Sequence, residues 1–142
     1  MTNPVDGELA QLFRASRTVA VVGLSPDRMR ASNGIARYLQ RSGFRVIPVN
    51  PNETEVLGHK SYASLRDIPE PVDIVDVFRR PEFLPEIAAD AIAIGAKALW
   101  MQQGIAHAEA ATVATEAGLL VIQDRCIMIE HMRLAGALPA SH

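Results

Sequence analysis

Five short apolar runs, evenly spread along the chain, constrain it most: Val19–Val22, Arg45–Val49, Asp73–Phe78, Ala96–Met101 and Leu119–Ile122. Each is rich in Val, Ile or Leu and is bounded by Gly, Pro, Asn or Asp, the pattern of strands buried on both faces. From the residue numbers, successive runs start 26, 28, 23 and 23 residues apart. That spacing is too long for hairpins and suits strand–helix–strand units.

The segments between the runs carry helical marks. Ser32 is placed to cap a helix whose apolar face holds Ile35, Ala36 and Leu39, with Gly43 as its stop. Phe83, Leu84, Ile87, Ala88, Ala91 and Ile94 recur at helical spacing before Gly95, and Pro81 and Pro85 confine the start of that helix. Ala106–Ala117 is dominated by Ala, Glu and Thr and stops at Gly118. A short first helix begins at Asp6 and runs through Leu9, Leu12 and Phe13. A last helix covers Cys126–Leu134. Strand and helix in alternation imply an α/β fold, with a five-stranded, mainly parallel sheet covered by helices on both faces. Right-handed crossovers make it a doubly wound, Rossmann-like sheet. Pro48 fights this reading, since proline cannot donate to a ladder, and it is expected where the second strand leaves the sheet. The expected organisation is an N-terminal helix over 1–17, one domain over 18–134 and a frayed tail over 135–142.

Composition removes whole classes of function. With 142 residues, 49% apolar and 21% charged, the chain has enough core for one folded domain and is not disordered. A net charge of −2 argues against a general nucleic-acid binder. Cys126 is the only cysteine, which excludes an internal disulfide and leaves little for a metal site. No apolar run is long enough to span a membrane, and the first 17 residues show no signal peptide. The expected compartment is the cytoplasm.

In an open parallel sheet, ligands bind beyond the carboxyl ends of the strands, near the point where strand order reverses. After the first run, Gly23 permits a sharp turn, Ser25 and Ser32 offer hydroxyls, and Arg28 or Arg30 offers a guanidinium to a phosphate. The same stretch also reads as an ordinary polar loop, and it lacks the glycines of a dinucleotide fingerprint. After the second run stand Asn50 and Pro51, where a NAD site wants an acidic residue to take ribose hydroxyls. Phe78, Arg79 and Arg80 close the third run, suited either to a nucleotide or to ion pairs with Asp73, Asp76 or Glu82. Gln102, Gln103 and Gly104 follow the fourth run, with amides that can meet a polar ligand chain, while Trp100 reads mainly as core. Cys126 opens the last helix, either as a reactive thiol or, more commonly, as a small buried hydrophobe.

Taken in order, these segments resemble the small stand-alone CoA-binding proteins, which are similar to the nucleotide-binding domain of the succinyl-CoA synthetase alpha subunit. The resemblance runs from about Thr18 to Leu134. It is carried by Val21-Val22-Gly23-Leu24-Ser25 with Arg30-Ala31-Ser32, and by Gly43-Phe44-Arg45-Val46-Ile47-Pro48-Val49-Asn50-Pro51. Val72-Asp73-Ile74-Val75-Asp76-Val77-Phe78-Arg79, Trp100-Met101-Gln102-Gln103-Gly104 and Asp124-Arg125-Cys126 complete it. It implies coenzyme A, or an acyl-CoA, lying across the carboxyl edge. Gly23, Ser25, Arg30 and Ser32 would hold phosphate, Asn50 and Pro51 the adenosine end, Phe78 and Arg79 the middle, and Gln102, Gln103 and Gly104 the pantetheine. Arg28 does not match the family's arginine position and ranks below Arg30. The synthetases phosphorylate a histidine on a separate ligase domain for which this chain has no counterpart, so the resemblance carries ligand binding rather than thioester synthesis. Two other readings stand beside it: a nicotinamide-dependent oxidoreductase, and an accessory subunit of an acyl-CoA ligase. A protein partner or a homo-oligomer is compatible with all three.

Overall fold

The computed structural model describes residues 2–137. Its main sheet has five strands, all paired in parallel: β1 (Thr18–Val22), β2 (Arg45–Val49), β5 (Ile74–Val77), β6 (Ala98–Met101) and β7 (Leu120–Ile122). Their order across the sheet is β2-β1-β5-β6-β7. Strand order therefore reverses between β1 and β5, which fixes the switch point there. A separate two-stranded hairpin joins β3 (Glu55–Val56) to β4 (His59–Lys60). Sequence reading missed it, because each arm has two residues and its turn is Leu57-Gly58 rather than Asn-Gly. Both turn residues have positive φ, 53° at Leu57 and 79° at Gly58.

The period of two along each strand divides the core. Val19 and Val21 of β1 face one side, together with Ile74 and Trp100. Against them pack α1 (Asp6–Ala15) through Leu9, Leu12 and Phe13, α2 (Ala31–Arg41) through Ile35, Ala36 and Leu39, and α5 (Ile127–Leu134) through Ile127. Ala20 and Val22 face the other side with Val75, Val77 and Leu99. There α3 (Leu84–Ala93) and α4 (Ala108–Glu116) lie on the sheet through Ile87, Ala88, Ala91, Ala110, Ala111 and Ala114. Trp100 is fully buried, as core, and its indole N–H donates to the Arg125 carbonyl at 2.8 Å.

Three local expectations change. Pro48 stays in the ladder, in register with Val21, because β2 is an edge strand with no main-sheet neighbour on its far side. Its carbonyl instead accepts from Tyr62 N–H at 3.1 Å. Ser32 is not the cap of α2. Arg30 occupies the cap position without a side-chain bond, and Ser32 Oγ turns back to accept from Ser25 N–H at 3.0 Å. The expected tail begins as a single 3-10 turn over Ala135–Ala137, and 138–142 lie outside the described residues. Among the described residues no helix is long and apolar enough to cross a membrane, and no cluster of metal-ligating side chains occurs.

Two positions carry measurable consequences. Asp76, in the middle of β5, is fully buried between Val21 and Trp100, and neither carboxylate oxygen has a hydrogen-bond partner. Burial pushes its pKa well above the usual 3.8. The folded state then binds more protons than the unfolded chain, so this residue lowers stability as pH rises through that window, by about 1.4 kcal/mol per pH unit. Urea unfolding of Asp76→Asn is expected to show a shallower loss of stability from pH 4 to 8 than wild type, and equal slopes would refute this reading. Gly23 has φ +88°, and a Cβ there would lie 2.7 Å from the Phe78 carbonyl oxygen. Gly23→Ala is expected to cost roughly 2 kcal/mol or more from left-handed strain and that clash, read as a lowered denaturation midpoint.

Candidate functional site

The loops after β1, β5, β6 and β7 converge at the carboxyl edge of the sheet. The loop after β1 is a built structure. Ser25 N–H donates to Ser32 Oγ, Ser25 Oγ accepts from Asp27 N–H, Asp27 Oδ1 accepts from Met29 N–H, and Asn33 Nδ2 donates to the Ser25 carbonyl, all within 2.9–3.1 Å. Asn33 is 1% exposed and also accepts from Arg37 Nε. It is the staple of the loop, and sequence reading passed over it because a buried asparagine inside a helix turn has no motif. The loop delivers the start of α2 to the end of β1; Asn33 and Gly34 N–H bond the Arg30 carbonyl, which leaves Ala31 and Ser32 N–H ahead of the helical ladder.

A polar cleft of about 540 Å³ opens against this turn, lined by Gly23, Ser25, Arg30, Ala31, Ser32, Phe78 and Arg80. Four of the expected phosphate residues thus meet on one surface, with Phe78 opposite them. Arg30 and Arg80 are exposed and give the cleft its positive charge. Close approach is possible only because Gly23 has no side chain, for a Cβ would also come within 3.1 Å of Arg79 Cδ. A second compartment of about 280 Å³ adjoins it across Ala31 and Phe78. Ile35, Gln102, Gln103, Ile105 and Cys126 line the rest of it.

The other expected residues are placed differently. Arg79 lies on the opposite side of the β1 and β5 ends, in a smaller cleft of about 120 Å³ with Val22, Val49, Ser64 and Phe83. Its guanidinium sits 4.1 Å from the centre of the Phe83 ring, a cation–π contact. Arg80, rather than Arg79, reaches the polar cleft, and it pairs with Glu82 at 3.4 Å. Asp73, also considered as a partner for these arginines, instead pairs with Lys97 and accepts from Arg17 and Thr18 N–H. Asn50 ties the second loop to the first: its Nδ2 donates to the Leu24 carbonyl at 3.0 Å and its Oδ1 accepts from Asn52 N–H at 2.9 Å. Pro51 is exposed beside it. Gln102 is buried and its Oε1 accepts from Ile127 N–H at 3.0 Å, which caps α5. Gln103 is exposed at the rim, and Gly104 N–H donates to Asp124 Oδ1 at 2.6 Å. Cys126 is 8% exposed and stands at the cap position of α5.

Two of the described histidines are engaged in the fold. His107 Nδ1 accepts from Ala110 N–H and starts α4. His131 is buried against Phe13, Tyr38 and Phe44, with Tyr38 Oη 2.7 Å from its Nδ1.

The chain is 41% identical over 131 residues to the uncharacterized protein YneT of Bacillus subtilis, covering 92% of this chain and 97% of that one. It is 34% identical over 92 residues to an ADP-forming acetate–CoA ligase II of Archaeoglobus fulgidus, where the match spans 63% of this chain and 14% of the ligase. A solved structure of a hypothetical protein from Pyrococcus horikoshii superposes with a TM-score of 0.89 at 40% identity, over 96% of this chain and 99% of that one. The family model for the CoA binding domain matches residues 17–132. This chain belongs to the CoA binding domain family.

Proposed function

We propose that this protein binds coenzyme A, or an acyl-CoA, along the carboxyl edge of its sheet and acts as a binding protein rather than as an enzyme. One observation carries the reading: a cationic, hydroxyl-lined cleft and an uncharged compartment adjoin at the switch point between β1 and β5. A ligand with phosphates at one end and an uncharged arm at the other matches that gradient. Gly23 supports the reading indirectly: without a Cβ it lets the Phe78 backbone close against the end of β1, which sets Phe78 at the wall of the cleft.

In this reading Ser25, Arg30 and Ser32 take phosphate oxygens beside Gly23, with Arg80 as a further cation. The adenosine end lies toward Asn50, Pro51 and the Arg79 side of the strand ends. Phe78 forms the wall on which the middle of the ligand rests. The pantetheine runs toward Gln102, Gln103 and Gly104, with Gln103 offering its exposed amide. No step of bond making is assigned; His107 serves the start of α4 and His131 the aromatic core. A nicotinamide dinucleotide is less well served. The position after β2 that would take its ribose is Asn50, whose amide is already engaged by Leu24 and Asn52. The reading leaves room for a larger partner, as the match to the acetate–CoA ligase suggests, and for use in the cytoplasm.

Isothermal titration of the full chain with CoA is expected to show one saturable site; absence of heat at millimolar CoA would sink the proposal. Arg30→Ala is expected to weaken binding roughly tenfold, the loss of one charge-assisted hydrogen bond of about 1.5 kcal/mol or more. Ser32→Ala is expected to weaken CoA binding and also to lower stability, since the hydroxyl holds Ser25 N–H. An unchanged Kd in both variants would place the phosphates elsewhere.

A further inference from the structure

The second compartment is more selective than a CoA thiol alone requires. It carries no charged lining residue, in contrast to the adjoining cleft with Arg30 and Arg80. Its walls are the side chains of Ile35, Phe78 and Ile105 with Cys126, and its two amides are not equivalent. Gln102 is buried with its Oε1 engaged at the cap of α5, whereas Gln103 lies at the exposed rim. A carboxylate entering this space would meet no cationic side chain among the lining residues, which disfavours it relative to an apolar group. An apolar group would gain from burial. The volume of about 280 Å³ corresponds to about nine water-sized units at ~30 Å³ each. The terminal aminoethylthiol of pantetheine together with a short acyl chain is of that size.

We propose that the compartment holds a short, uncharged acyl group carried on the thiol of CoA, so that the preferred ligand is a neutral acyl-CoA. Free CoA leaves the apolar walls underfilled, and the CoA ester of a dicarboxylic acid brings a charge with no partner. The proposal rests on the CoA reading above, since the phosphate end must seat at Arg30 and Ser32 for the thioester to reach Phe78 and Gln103.

The test compares CoA, butyryl-CoA and succinyl-CoA by titration calorimetry on the full chain. Butyryl-CoA is expected to bind roughly tenfold tighter than CoA through burial of its methylene groups, and succinyl-CoA no tighter than CoA. Gln103→Lys adds a cation at the exposed rim and is expected to move the succinyl-to-butyryl affinity ratio toward succinyl. Equal affinities for CoA and butyryl-CoA, or succinyl-CoA binding as tightly as butyryl-CoA, would overturn the acyl assignment while leaving CoA binding in place. An unchanged ratio in Gln103→Lys would overturn it as well, by placing the acyl end elsewhere. If none of the three ligands binds, the CoA reading falls and the acyl assignment with it.

Discussion

The approach of the β1 end to the β5 end is the contact on which the site depends. Gly23 N–H donates to the Val49 carbonyl at 2.8 Å, and Phe78 N–H donates to the Val22 carbonyl at 2.9 Å. The last turn of β1 is therefore fixed to both of its neighbours. The Phe78 carbonyl oxygen then occupies the space a side chain at Gly23 would need. Any other residue there would push β5 away from β1, or force the loop out of the left-handed conformation that starts it. Both the polar cleft and the adjoining compartment have Phe78 as a shared wall, so both would open or shift with that displacement.

The loop beyond Gly23 is ordered before any ligand arrives. Ser25, Asp27, Ser32 and Asn33 bond their polar groups to one another and to loop backbone, while Arg28, Met29 and Arg30 project outward and are exposed. That division matters energetically. A loop already held by four internal hydrogen bonds loses less conformational entropy on binding than a free one. Binding can then draw on the arginines and the first turn of α2 without first having to order the backbone that presents them.

Much of this arrangement was legible in the sequence. The five apolar runs fall on the five strands of the main sheet, with ends that differ by at most two residues. The helix faces at Ile35, Ala36 and Leu39 and at Leu84, Ile87, Ala88 and Ala91 are buried as the periodicity requires. What residue type does not state is direction. Ser32 has the chemistry of a cap but lies beyond the cap position, so its hydroxyl serves Ser25. Gln102 has the chemistry of a ligand contact, yet its Oε1 turns inward to the start of α5. Arg79 and Arg80 are chemically equal, but in the loop just beyond β5 their side chains turn to different sides. Phe78 and Arg80 share the polar cleft while Arg79 joins Phe83 on the other side.

The same distinction between presence and direction decides the electrostatics. Residues 24–50 hold five arginines against Asp27, a local excess of +4 within a chain of net −2. Structure removes part of that excess from the site. Arg45 is held by Glu70 in a bidentate pair, and Arg37 donates to Asn33. The charge presented at the cleft is chiefly that of Arg30, with Arg28 exposed on the same loop and Arg80 shared with Glu82 at 3.4 Å. One buried acid works in the same direction. Asp76 shares the Val21 and Trp100 register of β5, two residues before the Phe78 wall, and would oppose an anionic ligand if ionised. Desolvation favours its protonated form beyond the ordinary carboxylate range. The local charge at the carboxyl edge, set by Arg28 and Arg30, is thus more positive than the net charge of the chain indicates.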